Sequence, residues 1–428
     1  MEYLKRATPL LETDHAALVQ QVAEVLADIR AHGETAVRKY SAQFDKWEPE
    51  SFRVSDAEIA AATDQVSADV RASIDFGQEQ VRAFARAQRG TLQDLEIETR
   101  PGVTLGHRHI PISAVGAYVP GGRYTLIASS MMTVIPAKVA GVERVVVCAP
   151  PLNGRMPPAM LYAAHRAGAD AIYSLGGMQA LAAMAYGALP GLDPVDLLVG
   201  AGNRFVTEAK RQLYGTVGID QPAGPTEILI LADDTADPFL VAVDLVGQAE
   251  HGPDSRPILI TTSRALADAV LGQMDAQLRA VSTEAVARKA WDDMGEVIVV
   301  ADEDELVKAS DEYAVEHVEV MTRDPHGLSR RLRNYGSLFV GEEATVAYGD
   351  KVSGPNHVLP TLRAARFTGG LWVGKFLKTC TYQSFTKVAS VEMAEQCEIE
   401  CKAEGMIGHA RTAEMRIERY APKLGSPA

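Results

Sequence analysis

Three stretches of this chain bring acids, bases or metal ligands to spacings that chemistry can use. Residues Asp237 to Glu250 form an amphipathic helical pattern ending in Gln248-Ala-Glu-His251, ahead of Gly252-Pro253. Gln248 and His251 therefore share one helical face beside its terminus. An imidazole nitrogen and an amide oxygen can both ligate Zn²⁺, but zinc needs at least three protein groups, and on this spacing alone capping or core hydrogen bonding is the stronger reading. Glu316-His317 sits where a helical pattern gives way to a strand. Neighbours on a strand face opposite sides, yet at its edge both can reach a cleft. Two such groups in unlike surroundings hold different pKa values, as is needed to take a proton from an alcohol and then from water; the plain alternative is a solvated strand entrance. The third stretch, Gly349-Asp-Lys-Val-Ser-Gly-Pro-Asn-His357-Val-Leu-Pro-Thr361, is turn-rich and has little to bury. Loops of that kind tend to carry function. Asp350 could complete a metal site with His409 from the C-terminal helical region, although a surface histidine is the ordinary alternative for His409.

Three glycine turns add a second kind of signal. Val119-Pro-Gly-Gly122, Leu175-Gly-Gly-Met-Gln179 and Gly200-Ala-Gly-Asn203 each fall at a strand-to-helix junction. Junctions at the carboxyl ends of parallel strands are where open α/β sheets bind ligands. Any one of them reads as a tight turn; three in one domain bring the ligand reading level with it. Neither a Gly-x-Gly-x-x-Gly dinucleotide fingerprint nor a Walker loop is present.

The elements that must position these groups follow from periodicity. Behind a Thr13-Asp14 start signal, Val19, Val22, Val25, Leu26 and Ile29 recur at helical steps, and the helical pattern runs from Leu10 to Arg89. β-Branched residues with Gly and Pro punctuation follow between Glu96 and Val119. Short apolar strands then alternate with helix-length segments, at Arg144 to Ala149, Ala171 to Leu175, Asp196 to Val199, Glu227 to Ala232, Pro257 to Thr262, Glu296 to Ala301, His317 to Met321 and Ser337 to Val340. That alternation predicts an α/β fold with parallel sheets and right-handed crossovers, in two domains. After Gly370 the strand signals stop, and Ala394 to Arg419 reads as a helical tail that packs on a second copy of the chain.

Bulk composition removes other function classes. The chain has 428 residues, enough for about three domains with ample cores. With 42 basic against 56 acidic residues the net charge is −14, which repels nucleic acid and anionic bilayers in the absence of a basic cluster. Four cysteines, Cys148, Cys380, Cys397 and Cys401, are too few for a disulfide framework. The opening residues lack a signal-peptide pattern, and the apolar run Ile127 to Val145 is interrupted by Pro136 and charged at Lys138 and Glu143, so the expected location is the cytoplasm with no membrane span.

Read together, Tyr118-Val-Pro-Gly-Gly122, Gly202-Asn203 before Val206-Thr-Glu-Ala-Lys210, Ala223-Gly-Pro-Thr-Glu227, Gln248-Ala-Glu-His-Gly-Pro-Asp-Ser255, Glu316-His317 and Gly354-Pro-Asn-His-Val-Leu-Pro-Thr361 resemble histidinol dehydrogenase, in order and across nearly the whole chain. The resemblance implies an intertwined homodimer with shared active sites, two incomplete Rossmann-like domains, one Zn²⁺ per site, and two successive NAD⁺-dependent oxidations from a primary alcohol through an aldehyde to a carboxylate. It assigns zinc to Gln248, His251, Asp350 and the second copy's His409. It makes His317 the base on the alcohol and Glu316 the group that activates water on the aldehyde. Tyr118, Gln179 and Asn203 match positions that contact NAD⁺; Thr226, His317 and the second copy's Glu404 match positions that contact substrate. The organisation expected is a helical segment over 1–18, a first α/β domain over 19–117 and 227–370, a second, NAD-binding, α/β domain over 118–226, and a helical tail over 371–428.

Departures from the family pattern bear on the substrate. Pro120-Gly-Gly-Arg123-Tyr124-Thr-Leu126, Leu362-Arg363 and Leu371-Trp-Val-Gly-Lys-Phe-Leu-Lys378-Thr-Cys-Thr-Tyr-Gln383 resemble the sulfopropanediol dehydrogenase branch, which oxidises 2,3-dihydroxypropane-1-sulfonate to sulfolactate. A sulfonate needs cationic donors, and cationic histidinol does not. Arg123, Arg363 and Lys378 are the candidates, each with a surface or ion-paired role as its alternative. L-Histidinol remains the alternative substrate, and a non-catalytic paralogue that binds a nucleotide or anion is the remoter one.

Overall fold

The computed structural model describes residues 1–8, 15–121, 124–222 and 224–421. Its strands, in chain order, are β1 (Glu2–Lys5), β2 (Leu95–Arg100), β3 (Val103–Pro111), β4 (Ala114–Tyr118), β5 (Arg144–Ala149), β6 (Ala171–Ser174), β7 (Leu197–Val199), β8 (Gly218–Ile219), β9 (Glu227–Ala232), β10 (Arg256–Thr261), β11 (Glu296–Val299), β12 (His317–Met321), β13 (Ser337–Val340) and β14 (Leu377–Phe385). Helices fill most of the intervals, and the result is a mixed α/β fold rich in parallel strands. The chain divides into two units, residues 1–89 with 112–376, and residues 90–111 with 377–428.

The larger unit holds two sheets of one design. The five-stranded sheet runs β6-β5-β4-β7-β8 and is parallel throughout. The six-stranded sheet runs β1-β11-β10-β9-β12-β13, parallel except for β1, which pairs antiparallel with β11. Counted from β4 and from β9, each has the order 3-2-1-4-5, in which the chain reverses its direction of travel between the first and fourth strands. Such a switch point opens a crevice. Central strands covered on both faces read as unbroken apolar runs, and Ile228 to Ala232 of β9 are all 0% exposed. The smaller unit has an antiparallel sheet, β14-β3-β2, and two helices, Lys387–Ala403 and Ile407–Tyr420.

Several sequence expectations change here. Residues 1–18 are not helical throughout: β1 occupies Glu2–Lys5, and the first helix among the described residues is His15–His32, while the Thr13-Asp14 signal lies outside them. Residues 19–117 do not go with 227–370 as a block. Val22, Val25, Ile29, Val37 and Tyr40, from the helices His15–His32 and Glu34–Asp45, pack with Leu181 and Ala185 beside the five-stranded sheet. β4 is a central strand of that sheet, so a boundary at residue 118 would cut it from its own domain. Strands also do not end at Gly370, because β14 pairs with β3 over nine residues. The tail from Ala394 to Arg419 is a hairpin rather than one helix, broken at Glu404-Gly405-Met406 where Gly405 takes φ +76°.

Pro136 does not end its helix, which spans Ile127–Ala140. Proline has no N–H, so the carbonyl of Met132 four residues earlier is left without its helical partner. Asn356 Nδ2 donates to that carbonyl at 2.6 Å, anchoring the turn-rich loop. No helix among the described residues is long and apolar enough to cross a membrane.

Candidate active site

The first cluster lies at the amino edge of the six-stranded sheet, where β9 and β12 begin side by side with His317 opposite Ile228. His317 is 3% exposed, and its Nδ1 lies 2.9 Å from the carbonyl oxygen of Glu227. A carbonyl only accepts, so Nδ1 carries the proton and Nε2 of the neutral ring is left basic. Nε2 makes no hydrogen bond among the described residues and lies 3.8 Å from Asp350 Oδ1. Burial lowers the pKa of His317, opposed by the Asp350 charge, which keeps the ring neutral.

Glu316 Oε2 accepts from Thr226 Oγ1 at 2.6 Å and from Glu227 N at 3.1 Å. Burial pushes its carboxyl well above the ordinary value despite those bonds. It thus holds a proton more tightly than a solvated carboxylate, which suits a group that takes one from water. Gln248 Nε2 donates to Thr226 Oγ1, so Gln248, Thr226 and Glu316 form one chain of hydrogen bonds.

Asp237 caps the helix Pro238–Ala249 by accepting from Phe239 N, and Gln248 occupies its last turn. His251 lies in the turn that follows, with Nε2 3.9 Å from Asp350 Oδ2. Burial lowers the pKa of His251, so this ring too stays neutral. Asp350, on the short helix Val346–Lys351, is 8% exposed. Burial alone would raise its pKa, but the facing His357, His317, Lys351 and His251 side chains favour its anion and hold it below the ordinary value. His357 donates from Nδ1 to the carbonyl of Asp350 at 3.0 Å and accepts at Nε2 from Ser129 Oγ at 3.0 Å, pinning the loop to the helix Ile127–Ala140.

These residues fit a zinc ion on their own chemistry. The Gln248 amide nitrogen is engaged by Thr226, which leaves its oxygen to ligate; His251 is neutral and Asp350 anionic. Among the described residues no three His, Cys, Asp or Glu side chains converge as a metal cluster. Gln248, His251 and Asp350 therefore make an incomplete donor set.

The second cluster lies at the carboxyl edge of the five-stranded sheet. Tyr118 ends β4, and its hydroxyl accepts from Gly177 N at 3.1 Å; burial raises its pKa. Gln179 is 1% exposed, donates to Asp45 Oδ2 at 2.8 Å, and keeps an amide oxygen that makes no hydrogen bond among the described residues. Asn203 caps the helix Arg204–Leu213 by accepting from Phe205 N and Val206 N, which leaves its NH₂ to donate elsewhere. The three, with Phe44, Asp45 and Pro150, line a cavity of about 360 Å³. Gly121, Gly177 and Asn203, one from each of the three glycine turns, line this cavity.

Arg123 lies outside the described residues. Arg363 is exposed and forms no ion pair among the described residues. It shares with Leu362 a turn in which both residues are left-handed, φ 66° and 53°. The turn is closed by Ala364 N to Thr361 O at 3.0 Å and tied to Gly224 N by Thr361 Oγ1 at 2.6 Å. Left-handed non-glycine residues cost roughly 1–2 kcal/mol each and persist where neighbours impose them. Lys378 on β14, Glu404 at the hairpin bend and His409 on the last helix are all exposed in the smaller unit.

Sequence reasoning missed the Glu227 carbonyl and Asp45, and it gave no role to His357 and Tyr124 within the motifs that contain them. Tyr124 stands beside Arg123 in the departing motif, and its hydroxyl donates to the Glu250 carbonyl at 2.8 Å, between Gln248 and His251. The signal for Tyr124 is the departing motif itself, where it follows the cation directly.

Comparison with known proteins adds independent findings. The histidinol dehydrogenase family profile matches residues 10–417. A histidinol dehydrogenase homolog of Shouchella clausii is 53% identical over 98% of this chain and 99% of its own length. A sulfopropanediol 3-dehydrogenase of Ruegeria pomeroyi is 48% identical over 99% and 97%. The crystal structure of histidinol dehydrogenase from Elizabethkingia anophelis superposes with a TM-score of 0.91 at 33% identity, covering 98% of this chain and 95% of that one.

Proposed function

The chain belongs to the histidinol dehydrogenase family of oxidoreductases, and from that premise we propose that it is a zinc-dependent, NAD⁺-linked dehydrogenase that takes a primary alcohol through an aldehyde to a carboxylate. The observation that carries the reading is the free, buried Nε2 of His317, basic because Nδ1 is committed to Glu227 and adjacent to the Asp350 carboxylate.

Gln248, His251 and Asp350 hold the zinc ion, with His409 of a second copy as the fourth ligand and Glu404 of that copy at the substrate. Tyr118, Gln179 and Asn203 bind NAD⁺. When bound, Zn²⁺ supplies a Lewis acid and NAD⁺ a two-electron acceptor for each oxidation. His317 Nε2 takes the proton of the alcohol in the first step. Thr226 and the Glu227 amide hold one oxygen of Glu316, whose carboxyl takes a proton from the water that adds to the aldehyde in the second. Burial of both groups keeps bulk water from competing for those protons.

The preferred substrate in this reading is (R)-2,3-dihydroxypropane-1-sulfonate, giving sulfolactate. The 48% identity to the Ruegeria sulfopropanediol 3-dehydrogenase supports it, as do the cation Arg123 in its departing motif and the exposed Arg363 on its strained turn, which has no ion pair among the described residues; Lys378 is the third candidate cation. L-Histidinol is the competing substrate. The test is NADH absorbance with the sulfonate diol before and after chelation. Two equivalents of NADH per alcohol, lost with chelator and regained with Zn²⁺, are expected. No NADH from either alcohol in zinc-loaded protein would leave the non-catalytic paralogue as the better account.

A further inference from the structure

A buried ion pair between Lys210 and Asp220 holds the loop that carries one cofactor candidate. Lys210, on the helix Arg204–Leu213, is 1% exposed. Its ammonium contacts the Asp220 carboxylate and donates to the carbonyl of Gly200 at 2.8 Å. Gly200 N in turn donates to Asp220 Oδ2 at 2.8 Å, and Gln221 N to Oδ1 at 2.6 Å. One ion pair thus grips both polar groups of a single glycine.

That glycine has an unusual place. It follows β7 with φ +116°, and a Cβ there would lie 2.0 Å from the Tyr118 carbonyl oxygen. The clamp therefore presses the start of the Gly200–Asn203 loop onto the end of β4, at the switch point of the five-stranded sheet. From the same anchor, Gln221 Nε2 donates to the carbonyl of Val358 at 3.0 Å, in the loop that carries His357 and Thr361.

Buried ion pairs are a weak source of stability, because desolvating two charges offsets their attraction. They do fix geometry, since each charge accepts few alternative arrangements. We propose that Lys210 and Asp220 are positioning residues for the dinucleotide site: by fixing Gly200 they set where the Asn203 amide points, and through Gln221 they tie the cofactor loop to the Gly354–Thr361 loop. The proposal rests on the assignment of Tyr118, Gln179 and Asn203 to NAD⁺.

The test uses the full chain loaded with Zn²⁺. The NAD⁺ dissociation constant is measured by calorimetry for Lys210→Met and for the doubly substituted Lys210→Gln/Asp220→Asn, which keeps hydrogen-bonding groups without charge. KM for NAD⁺, KM for the alcohol, and Tm are read alongside. Lys210→Met is expected to weaken NAD⁺ binding about tenfold or more, the scale of one lost charge-assisted hydrogen bond, with alcohol KM nearly unchanged. The double substitution should recover part of that loss, and it carries the test if Lys210→Met does not fold. Val297→Ala, in the core of the six-stranded sheet, is the comparison for general destabilisation and should leave the NAD⁺ constant unchanged. NAD⁺ affinity within about twofold of the unaltered protein in the folded Lys210 variants, or an equal loss in Val297→Ala, would overturn the proposal. Failure of the unaltered protein to bind NAD⁺ would instead overturn the cofactor assignment beneath it.

Discussion

The five-stranded and six-stranded sheets share a strand order, yet their candidate sites lie at opposite edges. At the carboxyl edge of the first, helices begin: Gly177 and the Asn203-capped Arg204 open two of them toward the cavity. Helix N-termini carry partial positive charge, which suits the phosphates of a dinucleotide. At the amino edge of the second, helices end: Gln248 closes one, and Asp350 sits in the last turn of another. Helix C-termini present carbonyls and partial negative charge, which suit a cation. One topology thus offers two electrostatic environments, and the chain uses backbone turns at one edge and buried side chains at the other.

The largest way to test that division is His317→Asn. It should lower kcat by about 10²–10⁴-fold, the range for loss of a general base, while the NAD⁺ dissociation constant stays put. Glu316→Gln should impair the aldehyde step more than the alcohol step; equal losses in both half-reactions, followed separately by NADH formation, would break the assignment of roles. Asn203→Ala works at the other edge. It should raise KM for NAD⁺ several-fold and, through the lost cap, lower stability by about 1 kcal/mol, with zinc content unchanged. Pro136→Ala is the smallest. A restored N–H would compete with Asn356 for the Met132 carbonyl, and the change in unfolding free energy should stay below about 1 kcal/mol in denaturant titration.

The parallel strands were legible because burial on both faces leaves unbroken apolar runs, as in Ile228 to Leu231. β14 was not, because all but two of its residues, Leu377 and Tyr382, are exposed and no alternation marks it. The helices over residues 15–45 were recognisable as amphipathic, but an apolar face does not say which sheet it will cover. At the sites, glycine turns and the Glu316-His317 pair stood out by residue type. The Glu227 carbonyl that sets the His317 tautomer is a backbone atom, and such an atom leaves no trace in a residue pattern. Asp45 was hidden for a different reason, since it is joined to Gln179 only by the fold.

In the proposed function, an alcohol bearing a sulfonate is oxidised at the amino edge of the six-stranded sheet. The most direct test is the ratio of kcat/KM for (R)-2,3-dihydroxypropane-1-sulfonate to that for L-histidinol, at saturating NAD⁺ with added Zn²⁺, in the unaltered protein and in Arg363→Ala. A ratio well above one that falls by about tenfold in Arg363→Ala is the predicted result. A ratio well below one, unmoved by that substitution, would contradict the claim and make L-histidinol the substrate.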